Sequence, residues 1–159
     1  MRTISTWRTL AMVAGMMWVL AASQAVAAKV TPQDLFQAAS QLKLAAKEAK
    51  ALGQALKQAQ PDEATIESAV SQVKTLSSQI KNAQAVVARH LRTLPWKTQF
   101  WFEGPLTHID LILEQLPFIL ATDRDLINAS GTLKTLSEVL ENLQGEVRYM
   151  AQRAADYAS

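Results

Sequence analysis

From Ile66 to Leu94 an apolar side chain returns every seventh residue, at Ile66, Val73, Ile80, Val87 and Leu94, with Ala69, Leu76, Ala83 and His90 between them. Spacings of three and four place these residues on one side of an α-helix and exclude the two-residue alternation of a half-buried strand. The same pattern occupies two more segments. Leu35, Ala39, Leu42, Ala46, Ala49, Leu52, Leu56 and Ala59 form an Ala-rich seam upstream. Downstream, Leu126, Ala129, Leu133, Leu136, Leu140, Leu143, Val147, Met150, Ala154 and Tyr157 form a rod of about 50 Å. A shorter, more apolar segment between them carries Leu106, Ile109, Leu113, Leu116 and Leu120, broadened by Leu111, Ile112, Phe118 and Ile119. Strand signals are absent, so the expected fold is all-α, an antiparallel up-down-up-down four-helix bundle.

Punctuation sets the boundaries. Thr31-Pro32-Gln33-Asp34, Thr107-His108-Ile109-Asp110 and Thr122-Asp123-Arg124-Asp125 each place a Thr hydroxyl before a carboxylate three residues on, as a helix entrance requires. Gln60-Pro61-Asp62-Glu63 interrupts the first two segments, and Pro95 ends the second. Gly104 permits a turn and Pro105 suits the first turn of a helix, where its missing N–H costs nothing. Helices are therefore expected at about 32–58, 62–94, 105–121 and 123–157. Pro117 should kink or loosen the end of the third. Gly131 and Gly145 weaken the fourth by about 1 kcal/mol each relative to Ala, which suggests sites of close helix approach.

The start of the chain has a different character. Arg2 and Arg8 precede the uncharged apolar run Leu10 to Ala22, and Ala25-Val26-Ala27 has the A-x-A form of a cleavage site. Residues 1–27 are expected to be a secretory signal peptide, leaving 28–159 as one exported bundle domain. The run is too short for a spanning helix. Ser23 ends a lipobox-like Leu20-Ala21-Ala22-Ser23 in place of the Cys that would be acylated, so the mature protein is expected to be soluble. The chain has no Cys, which excludes disulfide stapling and thiol chemistry.

Beyond residue 27 there are 14 basic and 14 acidic residues, so bulk charge does not favour nucleic acid. Their distribution is uneven. Residues 29–94 hold nine Lys/Arg and five Asp/Glu, and residues 95–159 hold five and nine. This imbalance favours packing the halves together and leaves charged outer faces. Lys43, Lys47, Lys50 and Lys57 form a stripe on the first helix, either a solvated face or a docking surface for an acidic partner.

Chemistry-bearing sets are sparse. His90 and Met150 are the nearest approach to a haem ligand pair, but His90 also suits a helix C-terminus, where imidazolium is favoured, and Met150 suits a core. His108 and Asp110 lie on different sides of a helix, and no Glu-x-x-His pair is present. There is no nucleophile motif and no phosphate loop, and Asp123 and Asp125 bracket a helix start. No catalytic, cofactor or dedicated metal site is expected.

The stretch Pro95 to Pro105 is the exception to this plainness. Trp96, Phe100, Trp101 and Phe102 make it too apolar for a polar connection, so it is expected either to cover the end of the bundle or to be offered to a partner. Trp96, then Trp101-Phe102, then Gly104-Pro105-Leu106 running into a Leu-rich helix, resembles the PsbQ family of photosystem II extrinsic proteins. The similarity covers about residues 96–143, with looser agreement over 31–42 at the Thr-Pro entrance. The resemblance implies a non-enzymatic four-helix protein of the thylakoid lumen, peripheral to the membrane, that docks on the lumenal face of photosystem II and stabilises the oxygen-evolving assembly. The docking candidates are Lys43, Lys47, Lys50, Lys57, Trp96, Phe100, Trp101 and Phe102. The alternative is a free periplasmic bundle acting as a small-ligand or lipid carrier or a chaperone-like adaptor.

Overall fold

The computed structural model describes residues 28–159, and the expected signal peptide lies outside them. Four α-helices account for most of this span: α1 (Pro32–Gln58), α2 (Glu63–Leu91), α3 (Trp96–Phe118) and α4 (Leu126–Asp156). No strand occurs among the described residues. None of the described helices is long and apolar enough to cross a membrane.

α1 begins and ends where the sequence places it. Thr31 and Asp34 form a reciprocal capping box: the Asp34 N–H donates to Thr31 Oγ1 at 3.1 Å, and the Thr31 N–H donates to Asp34 Oδ2 at 2.8 Å. α2 is capped by Asp62, whose Oδ1 accepts the Thr65 N–H at 2.8 Å. It stops three residues before the expected end. Turn bonds from the Thr93 N–H to the His90 carbonyl and from the Leu94 N–H to the Leu91 carbonyl replace the helical ladder there.

The third helix departs most from expectation. α3 starts at Trp96, nine residues early, so Gly104 and Pro105 lie inside it and the Thr107–Asp110 pattern is no entrance. Inside a helix the backbone N–H groups of that pattern already have partners, which leaves a capping box nothing to satisfy. Pro95, with φ −56° and ψ 145°, turns the chain in, and its carbonyl accepts the Thr98 N–H at 2.9 Å. An interior Pro costs about 3 kcal/mol in an isolated helix. Here Phe102, Ile109, Leu113 and Leu116 are buried along the same helix, and Gln84 of α2 donates to the Leu106 carbonyl at 3.4 Å. Packing on both sides of Pro105 holds the helix through it.

Loosening at Pro117 is displaced by two residues. The chain widens into a π-helical turn, Ile119–Asp123, which ends at Arg124 in the left-handed region (φ 52°). The fourth helix is capped by Asp125 rather than Thr122, with Asp125 Oδ1 accepting the Asn128 N–H at 2.9 Å. The Arg124 guanidinium meets the Glu63 carboxylate at 2.6 Å and ties this corner to the start of α2.

α1 packs chiefly on α4 and then on α2, while α3 packs on α4 and α2. Small residues are buried along α1, among them Ala38, Ala45, Ala46 and Ala49, and two serine hydroxyls of α4 reach its backbone: Ser137 Oγ donates to the Ala46 carbonyl at 2.8 Å and Ser130 Oγ to the Gly53 carbonyl at 2.6 Å. Seven residues forward on α1 correspond to seven back on α4, so this pair is antiparallel. The tight contact is therefore α1 with α4. It is built from apolar and hydroxyl groups rather than from the opposed charge of the two halves.

Close approach falls at a different glycine from those expected. A Cβ on Gly53 would lie 3.1 Å from the Ser130 carbonyl oxygen and 3.2 Å from Leu133 Cβ, whereas one on Gly131 or Gly145 would meet nothing within 4 Å. Gly131→Ala and Gly145→Ala should each stabilise the protein by up to about 1 kcal/mol. Gly53→Ala should destabilise it by roughly 1–3 kcal/mol, because backbone cannot yield as a flexible side chain can. Urea midpoints of the three variants check the ordering, and a stabilising Gly53→Ala would refute the close seam.

Candidate functional site

Because α3 begins at Trp96, the aromatic cluster is helical and its members point in different directions. Phe102 is 8% exposed and joins the core. Trp96, Phe100 and Trp101 are 70%, 67% and 79% exposed. They cover no end of the bundle, and the lid expectation gives way to an outward display.

Two further exposed residues extend that display. At about 100° per residue, Trp96, Phe100, Leu111 and Phe118 fall within about 60° of one another along roughly 33 Å of helix. This stripe lies opposite the buried side formed by Phe102, Ile109, Leu113 and Leu116. The breadth of apolar residues in this segment therefore reflects two faces, one in the core and one in water. A wheel drawn from Trp96 would have revealed the outer face. Starting the helix at Pro105 concealed it.

Trp101 stands to one side of the stripe. With Phe102, Pro105 and His108 it forms the α3 wall of a cleft of about 480 Å³, whose α4 wall includes Leu143 and Glu146. A larger opening lies elsewhere, a groove of about 820 Å³ between α1 and α2 lined largely by small and hydroxyl side chains such as Ala51, Ala55, Ser68 and Thr75. Among the described residues Glu48 is the one carboxylate on its lining.

The lysine stripe is also exposed, and none of Lys43, Lys47, Lys50 or Lys57 takes part in an ion pair within 4.0 Å among the described residues. However, α1 and α3 stand across the core from each other, since each packs on α2 and α4. The structure therefore places the basic candidates and the aromatic ones on helices that do not pack on each other, with Lys43 beside Gln144 and Arg148 of α4.

Among the described residues no group of three or more His, Asp and Glu is arranged to hold a metal. His90 is half-buried, and that burial pushes its imidazole below the ordinary value. Desolvation outweighs the favourable helix C-terminus expected for an imidazolium there. Met150 packs in the core. Asp34 is held below the usual carboxylate range by the Thr31 N–H and then the Thr31 hydroxyl, and Asp62 likewise by Thr65. These shifts belong to caps.

No family model, curated protein or solved structure matches this chain.

Truncating the two adjacent aromatics should separate their roles. Phe102→Ala should cost about 3 kcal/mol, and Trp101→Ala should stay within about 0.5 kcal/mol, both by urea unfolding. For His90 the unfolded chain takes up its proton first as pH falls, so stability should decline from about pH 8 towards pH 5. His90→Gln should flatten that slope, and an unchanged slope would assign the dependence elsewhere.

Proposed function

We propose that this protein is a non-enzymatic extrinsic subunit, exported behind a cleaved signal peptide and folded as an up-down-up-down four-helix bundle. It docks on the lumenal side of photosystem II and stabilises the oxygen-evolving assembly. The observation that carries the docking is the outer stripe of α3, where Trp96, Phe100, Leu111 and Phe118 are all exposed. A helix apolar on two opposite faces has a second surface to cover, and large exposed aromatics are the residues that anchor protein interfaces. The resemblance to the PsbQ family supplies the identity of the partner. Its Gly104-Pro105-Leu106 element lies within α3 rather than at a helix entrance.

The lysines of α1 have a separate part in this reading. On a helix that does not pack on α3, they meet a second acidic surface or remain solvated, and the primary contact is the α3 face. The carrier alternative has the open cleft beside Trp101 in its favour. Native mass spectrometry of the purified protein distinguishes it by a co-purifying small ligand.

Docking should place the protein with thylakoid membranes. Washing at about 1 M salt, where charge contacts beyond about 3 Å are screened, should release it from the charged rim of the interface. Paired Trp96→Ala and Phe100→Ala substitutions should abolish membrane association while leaving the urea midpoint nearly unchanged. Recovery only in a salt-insensitive soluble pool would sink the reading.

A further inference from the structure

Two exposed aromatic rings are already met by a cation of the same chain. Lys97 Nζ lies 6.0 Å from the Trp96 ring centroid, and the Arg153 guanidinium carbon lies 5.5 Å from that of Tyr149. Trp101 is more exposed than either and has no such cation over its ring among the described residues. It is also the one of the three that borders a cleft.

The cleft has a consistent chemical character. Pro105 and Leu143 give it apolar sides, and Gly104 lies open on its lining, where a Cβ would meet nothing within 4 Å. Glu146 supplies a carboxylate that is in no ion pair within 4.0 Å among the described residues. His108 and Asn142 also line it. A π face and a carboxylate around an apolar slot suit a flat cation with several donors. The surrounding half of the chain, residues 95–159, carries nine acidic and five basic residues, which favours the same sign of ligand.

We propose that this cleft receives an arginine side chain of the docking partner. Its aliphatic stem lies along Pro105 and Leu143, and its guanidinium stacks on Trp101 and donates to Glu146. Arginine fits better than lysine because its planar fork stacks and bonds at once, whereas an ammonium is a strongly hydrated point charge. The assignment deepens the docking reading and rests on it for the existence of a protein partner.

The probe is the blocked peptide acetyl-Gly-Arg-Gly-amide, with its citrulline counterpart as an uncharged isostere, titrated into the ¹⁵N-labelled full chain by NMR. The arginine peptide should shift the Trp101 indole N–H and the Gly104 amide saturably and leave the Trp96 indole unmoved. Glu146→Gln, at an exposed position that does not threaten folding, should weaken binding about tenfold, the scale of one charge-assisted hydrogen bond. Equal binding of the citrulline peptide would make this an apolar small-molecule cleft and overturn the proposal, as would saturable shifts unaffected by Glu146→Gln, or no shift at all. Failure to find the protein on thylakoid membranes while the arginine peptide still binds would count against the photosystem reading alone.

Discussion

The α1–α4 seam is the contact on which the remaining arrangement rests. Gly53 lets the helix backbones come close enough for Ser130 and Ser137 to donate across to carbonyls of α1. Repeated at seven residues on each helix, these bonds fix one register, because sliding either helix by a turn would strand a buried hydroxyl and press a side chain into Gly53. Among the described residues no buried side-chain polar atom lacks a partner. The seam therefore specifies an alignment as well as contributing apolar burial.

With α1 committed to α4, the other two helices are held differently. α2 leans on α1 through Leu52, Leu56, Ala69 and Leu76 but leaves an open groove beside them, and α3 closes the core with Ile109, Leu113 and Leu116. α3 also carries the greatest intrinsic penalties, an interior glycine and two interior prolines. It remains helical because its buried side is fully packed, and that continuity throws Trp96, Phe100 and Trp101 outward. The outer face therefore follows from the inner one.

The bundle divides its surface chemistry between helices. The exposed lysines of α1 and the aromatic stripe of α3, with the acid-bordered cleft beside it, lie on helices that do not pack on each other.

Much of this was legible in the residues themselves. The three-and-four spacing from Leu35 to Leu56 and from Leu126 to Met150 identified the core faces of α1 and α4, because helical period translates directly into one buried side. The capping pair Thr31 and Asp34 marked an entrance for the same local reason, since every atom involved lies within one turn. Tertiary structure decided the rest. Whether Gly104-Pro105 starts a helix or lies within one depends on how strongly Phe102 and Ile109 are held by neighbours distant in sequence. Which glycine sits at the close approach depends on which helix α1 faces. The separation of Phe102 from Trp101, adjacent in the chain and opposite in role, follows from the helix running through both, with its direction set by packing that no local pattern contains.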